Sequence, residues 1–368
     1  MRRVSARIVL FGATGFTGEL TARALAARGA SPLLVARNAQ RVQALADELG
    51  LECAMADATA PGATEALAAL LAPGDVLIST VGPFARWGEP AVRAAIASGA
   101  HYLDCTGEPP FIRAVFERHG PAAAPAGCGL LTAMGYDYAP GNLAGALALR
   151  DAGPDATRVD VGYFVSGGRG GQFSGGTRAS AAGMLAESAY GFRAGRLVDE
   201  RMARDVRSFS GRPAVSIGAS EQFALPRIHD GLRDVGVWLG WFGPASRPLQ
   251  LLSGATALAT KVPGVRGAIT ATAGRFVQGS TGGPDADTRA LALSRVVAIA
   301  SSASGEELAT VRVEGASPYD FTAGMLARGA MRAADGGLRG SGALGPVDGF
   351  GLDELELDAA DAGIARVA

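Results

Sequence analysis

The chain has 368 residues, 48% hydrophobic and 19% charged, with a formal net charge of −1; that is room for two domains around a large apolar core and excludes an intrinsically disordered polymer. So small a charge gives no long-range positive field, which argues against nucleic acid or an anionic lipid surface as the main partner. Three cysteines without CxxC spacing, Cys53, Cys105 and Cys128, argue against a disulfide framework or a structural zinc site, so a reducing cytoplasm is the expected compartment.

From Arg7 to Phe11 the chain is apolar on both faces, as in a strand buried inside a parallel sheet. The run breaks at Gly12, too early for the apolar region of a signal peptide, and no later stretch approaches the roughly 18 apolar residues of a membrane span. Gly12-Ala13-Thr14-Gly15-Phe16-Thr17-Gly18 follows, then a helix from about Gly18 to Arg28 and a strand over Pro32 to Ala36. The alternation continues with helices over Gln40–Leu49, Ala63–Leu71, Glu89–Ser98 and Pro110–His119. Strands are expected over Glu52–Ala56, Asp75–Thr80, His101–Cys105 and Gly129–Met134. The predicted architecture is α/β, an N-terminal doubly wound parallel sheet of about six strands.

After Pro140 strict alternation ends. Strands are expected over Arg158–Ser166, Val215–Phe223 and Arg233–Trp241, with a hairpin of Leu291–Ser302 and Leu308–Glu314. This predicts an inserted α+β domain with an antiparallel sheet over 141–317. A helix over Pro318–Met331 begins a segment, 318–368, expected to pack back on the 1–140 domain.

The glycine turn is the most specific signal. Gly12 permits a tight turn, Gly15 leaves room for a pyrophosphate against backbone, and Gly18 lets helix and strand pack closely, while the helix N-terminus turns free N–H groups toward the phosphates. The second strand ends Ala36-Arg37-Asn38, where an NAD site usually has Asp or Glu; Arg37 suits a 2′-phosphate, so NADP is the expected cofactor. Asp57 follows the third strand, either near the adenine or as a turn cap. Ser79-Thr80-Val81-Gly82-Pro83 and Cys105-Thr106-Gly107 leave the next strands at the edge where open α/β sheets bind ligands. The candidate cofactor residues are thus Gly12, Thr14, Gly15, Phe16, Thr17, Ala36, Arg37, Asn38, Asp57, Ser79, Thr80, Val81, Gly82, Pro83, Cys105 and Gly107. No metal site is expected, because His101, His119 and His229 are isolated. The Tyr-x-x-x-Lys pair of short-chain dehydrogenases is absent, since the sole lysine is Lys261 and position 257 is Ala.

The glycine turn, Ala36-Arg37, Thr80-Val81-Gly82-Pro83-Phe84, Tyr102-Leu103-Asp104 with Gly107-Glu108, and Gly135-Tyr136-Asp137 with Pro140 together resemble the saccharopine dehydrogenase-like oxidoreductases, nearest the bacterial trans-acting enoyl reductases. The resemblance extends weakly through Ser174-Gly175-Gly176-Thr177 and Pro318-Tyr319. It implies an NADP-binding Rossmann domain, an inserted substrate domain and a homodimer. Tyr136-Asp137-Tyr138-Ala139-Pro140 departs from the family's Phe-Asp-Ser-Val-Pro form.

Ketone reduction wants a proton donor beside the oxygen, whereas an enone needs only a hydrogen bond to the developing enolate and a protonated imine needs neither. Without Tyr-x-x-x-Lys, C=C or C=N reduction fits better. Tyr136 and Asp137, after the last strand of the first domain, are the candidate catalytic donors. Apolar tracts at Val235–Phe242 and Leu249–Ala259 suit either core packing or a lipid-like or polyketide-like substrate. Glycine-rich Ser166–Thr177 reads as a lid or a loop. Arg169, Arg178 and Arg247 could hold a dicarboxylic amino acid or be surface residues. Three functions remain: an NADPH-dependent reductase of an activated C=C bond, an imine or amino-acid dehydrogenase of saccharopine type, and a non-catalytic NADP sensor.

Overall fold

The computed structural model describes residues 6–167, 188–259 and 282–367. The expectations for Arg169, Arg178, Ser174–Thr177, most of the Ser166–Thr177 lid and Lys261 lie outside these residues. The chain divides into two compact units: 1–106, 111–139 and 318–363 form one, and 107–110, 140–317 and 364–368 form the other.

The first unit is built on a seven-stranded sheet: β1 (Ile8–Phe11), β2 (Leu33–Ala36), β3 (Cys53–Met55), β4 (Val76–Ser79), β5 (His101–Asp104), β6 (Gly129–Leu131) and a short Gly342–Ala343 strand. The order is 342–343, β6, β5, β4, β1, β2, β3, every pair parallel. This is the expected doubly wound sheet with one further edge strand. β1, β2 and β4 are buried at every position because helices cover both faces, and so they read as apolar runs, broken only by Ser79 at the end of β4. Phe11 lies beside Ser79 and Ser79 beside Asp104, so the residues after these strands emerge at one sheet edge, where strand order reverses between β1 and β4.

β6 ends at Leu131 rather than the expected Met134. Ala133, at φ +60°, turns the chain out of the strand, and the Asp104 carboxylate takes up its N–H. Within this unit the Pro318–Ala334 helix packs on α1 (Phe16–Ala27) and is tied to the Leu352–Asp361 helix by Arg332, which donates to both oxygens of Asp358 at 2.6 and 2.8 Å. Asp358 is 2% exposed. Asp358→Ala is expected to lower the stability read from the urea midpoint by about 3 kcal/mol, the low end for breaking a buried pair, because Arg332 keeps partial access to water.

The second unit carries β7 (Arg158–Ser166), β8 (Ser188–Arg193), β9 (Arg196–Arg201), β10 (Val206–Phe209), β11 (Arg212–Ser216), β12 (Asp234–Leu239), β13 (Leu293–Ser301) and β14 (Glu307–Gly315). The sheet is mixed, not antiparallel as expected. β7 and β12 run parallel, because the chain between them is long enough for a crossover. The strand expected over Val215–Phe223 stops at Ser216, and Glu221–Ile228 is a helix. Gln222 makes that turn, accepting from Ala219 N–H at 2.6 Å and donating to Ile217 C=O at 3.0 Å. The β8 to β10 segment had no counterpart among the expected strands.

The tail also departs from expectation. Ile364–Val367 pairs antiparallel with β14 in the second unit, covering a sheet edge that would otherwise be open. Val235, Val237, Trp238 and Leu239 are buried, so the first apolar tract is core, whereas Leu251 and Leu252 stand exposed on the Ser246–Ala259 helix. Among the described residues no helix is long and apolar enough to cross a membrane.

Candidate functional site

The glycine turn sits between β1 and α1. Gly12 N–H and Ala13 N–H donate to Val35 C=O, and Gly15 N–H to Gly12 C=O. Gly12 has φ +91°, and a Cβ there would meet Thr80 Oγ1 at 2.6 Å. At Gly18 a Cβ would lie 2.1 Å from Gly12 O, so α1 approaches β1 through a gap only glycine leaves. Gly15 differs, since its Cβ position meets only Gly12 O, at 3.3 Å. The remaining face of the turn is open, as a pyrophosphate needs. Thr80, after β4, closes the turn from below with its hydroxyl 3.2 Å from both Phe11 and Gly12 carbonyl oxygens. Thr14 and Thr17 are partly exposed, and Phe16 meets Tyr319 edge-on at 5.1 Å between centroids.

At the end of β2, Ala36 is buried and Arg37 exposed. Asn38 caps α2 (Ala39–Leu49), accepting from Arg41 N–H at 3.0 Å. Arg41 was missed by sequence reasoning. Its guanidinium donates to Thr14 C=O at 2.8 Å, which brings a second cation to the glycine turn beside the Arg37 strand end. The available signal was a second arginine one helical turn beyond Arg37. Asp57 accepts from Thr59 N–H and Oγ1 at 2.9 and 2.8 Å, the turn-capping arrangement. Those bonds, with the charge of Arg37 adding, hold its carboxyl below the ordinary range.

Ser79 is fully buried, so a cofactor at this edge meets its backbone and not its hydroxyl. Val81, Gly82 and Pro83 continue outward through a cis Gly82–Pro83 bond. Cys105 is a partly buried cysteine outside any disulfide. Gly107 belongs to the second unit. His101 Nδ1 accepts from Gly129 N–H at 3.0 Å and His229 Nε2 lies 2.8 Å from Ala156 O, each satisfied by backbone. Arg247 is exposed. No cluster of three or more metal-ligating side chains occurs among the described residues.

Two carboxyls flank the end of β6. Asp104 is fully buried and accepts from Thr106 N–H, Thr132 Oγ1 and Ala133 N–H, all within 3.1 Å. Burial raises its pKa to about 6 against the pull of those bonds. Asp137, in the turn that follows, is partly exposed, yet desolvation pushes its carboxyl up to about 7. Tyr136 beside it is 2% exposed.

Residues 8–126 match the family model of the saccharopine dehydrogenase NADP binding domain. A putative trans-acting enoyl reductase of Mycobacterium tuberculosis is 40% identical over 182 residues, 47% of this chain and 42% of that one. A trans-acting enoyl reductase of Mycobacterium ulcerans is 38% identical over 157 residues, 41% of this chain and 37% of that one. The chain therefore covers less than half the length of these relatives. Apo saccharopine dehydrogenase (L-Glu forming) of Saccharomyces cerevisiae superposes with a TM-score of 0.58 over 99% of this chain and 100% of that one, at 15% identity, which shows a shared fold. Over residues 8–126 this chain thus matches a saccharopine dehydrogenase NADP-binding domain, and the cofactor of that domain is NADP.

Proposed function

We propose that a chain with this NADP-binding domain is an NADPH-dependent oxidoreductase that reduces a C=C bond conjugated to a carbonyl, in a lipid-like or polyketide-like substrate, with Asp137 as the proton donor. The observation that carries the reading is Asp137 itself. Its carboxyl retains a proton near neutrality, and it follows β6 at the sheet edge where the glycine turn also emerges. The names of the curated relatives support the enoyl assignment. Of the two donors expected, Asp137 is the better placed, because the Tyr136 side chain is buried.

NADPH, when bound, supplies the hydride. Gly12, Gly15 and the N-terminus of α1 receive the pyrophosphate, with Thr14, Phe16 and Thr17 lining the turn. Arg37 and Arg41 hold the 2′-phosphate by charge-assisted bonds. Thr80, Val81, Gly82 and Pro83 line the nicotinamide end. Asp137 gives its proton where negative charge develops as the double bond is reduced, so that one hydride and one proton add across C=C. The homodimer implied by resemblance belongs to this proposal and is read by light scattering.

The test is NADPH oxidation with a 2-enoyl thioester, beside an oxo acid with an amine. Reduction of the thioester supports the reading. Turnover only with the oxo acid and amine replaces it with the imine reading, and tight NADPH binding without turnover replaces it with the sensor. Arg37→Ala and Arg41→Ala are each expected to weaken NADPH binding by roughly 1.5 to 3 kcal/mol, the range for a charged hydrogen bond, in a fluorescence titration. NADH, which lacks the phosphate, should bind both variants as it binds the wild type.

A further inference from the structure

The turn that presents Asp137 is closed on itself. Tyr138 N–H donates to Ala133 C=O at 2.8 Å and Ala139 N–H to Gly135 C=O at 2.9 Å. Its first half hangs from β5, where the Asp104 carboxylate holds Thr132 and Ala133 and the Asp104 carbonyl accepts from Met134 N–H at 2.7 Å. Beyond Met134 the support comes from a remote part of the sequence. Tyr136 N–H donates to Thr322 Oγ1 at 2.9 Å, across 186 residues. Thr322 stands in the first turns of the Pro318–Ala334 helix and is 9% exposed.

The Thr322 hydroxyl has one hydrogen, and it is given to Pro318 C=O at 2.7 Å. That bond fixes the rotor, so a lone pair faces Tyr136 N–H. Gly135 lies against the same side chain. A Cβ there would stand 2.9 Å from Thr322 Cγ2 and 3.2 Å from Cys105 Cβ, so the turn meets the helix at contact distance.

We infer that Thr322 is a positioning residue for Asp137: its hydroxyl anchors the Gly135–Tyr136 peptide, one residue before Asp137, and thereby sets where that carboxyl stands at the sheet edge. The inference rests on the role given to Asp137 above. An anchor one residue away is a short lever, and a displacement of about 1 Å at a reacting group costs on the order of a hundredfold in rate.

The test uses the full chain with Thr322→Val, which removes the hydroxyl and keeps the shape, and Thr322→Ser, which keeps the hydroxyl. Two quantities are read: kcat and KM for NADPH-dependent reduction of a 2-enoyl thioester, and the titration midpoint of the Asp137 carboxyl by carbon-13 NMR. Thr322→Val is expected to lower kcat roughly tenfold to a hundredfold with KM within about twofold, since ground-state binding is untouched. The Asp137 midpoint should fall from about 7 toward the ordinary aspartate range as the turn admits water. Thr322→Ser should restore both. Gly135→Ala, whose Cβ would press on Thr322 Cγ2 and Oγ1 at 2.9 and 3.0 Å and wedge the turn off the helix, should move both in the direction of Thr322→Val. Wild-type kcat and midpoint in folded Thr322→Val overturn the inference, as does a loss that Thr322→Ser does not repair. If the wild type turns over no thioester, the proposed function fails separately. The NMR midpoint then decides alone, a fall supporting the anchor and an unchanged value overturning it.

Discussion

Gly18→Ala is expected to abolish NADPH binding and to destabilise the first unit. The added Cβ would lie 2.1 Å from Gly12 O and 2.9 Å from Thr80 Oγ1. Two of the three nearest atoms are backbone of the turn itself, and backbone cannot swing aside as a side-chain tip does. Relief requires α1 to move off β1, which carries Gly15 and the helix N-terminus away from the pyrophosphate position. Overpacking of this kind costs about 1 to 3 kcal/mol, and the NADPH loss should exceed roughly a hundredfold, or about 2.7 kcal/mol.

Gly15→Ala separates folding from binding. A Cβ at Gly15 meets only Gly12 O at 3.3 Å, and the residue has φ −78°, accessible to alanine. The fold should keep its thermal midpoint, while the methyl occupies the space where the pyrophosphate approaches the backbone. Calorimetry and fluorescence titration of the two variants should therefore give unstable and non-binding for Gly18→Ala, stable and weakly binding for Gly15→Ala. Wild-type NADPH affinity in Gly18→Ala would remove the glycine turn from the site.

Asp137→Asn is expected to lower kcat for enoyl reduction by roughly a hundredfold to ten-thousandfold, the contribution of a positioned general acid, with NADPH affinity preserved. The pH dependence has a definite sign. The protonated carboxyl is the active form, so kcat should be level below about 6 and fall about tenfold per pH unit above the midpoint, which desolvation places near 7. In Asp137→Asn this limb should vanish. The same shift bears on stability: the native state keeps a proton that the unfolded chain releases near pH 4, so this group's contribution falls as pH rises from about 4 to about 7. A wild-type pH profile in Asp137→Asn would rule the residue out as the acid.

Much of the first unit was legible because its signals are local. An apolar run of four or five residues, a glycine turn and a helical stretch repeat along the chain, and each is a short-range backbone or solvation requirement that leaves its mark in consecutive residues. The second unit was less legible where one composition fits two states. Val215 to Phe223 is apolar enough for a strand, but Gln222 bonds back to Ile217 and Ala219 and turns the chain into a helix.

By itself, the sequence determined the doubly wound α/β class and the NADP-binding glycine turn, since glycine positions and strand-buried runs are demanded by sterics and burial within a few residues. Only the tertiary structure decided that β7 and β12 run parallel, that the tail joins the second sheet, that Ser79 is buried, that Arg41 reaches Thr14, and that Thr322 meets Tyr136. The two side-chain bonds join residues 27 and 186 positions apart, the two strand pairings cross long connections, and Ser79 is buried where helices pack over β4. A hydrogen bond or strand pairing of that span leaves no periodicity in the residues that make it.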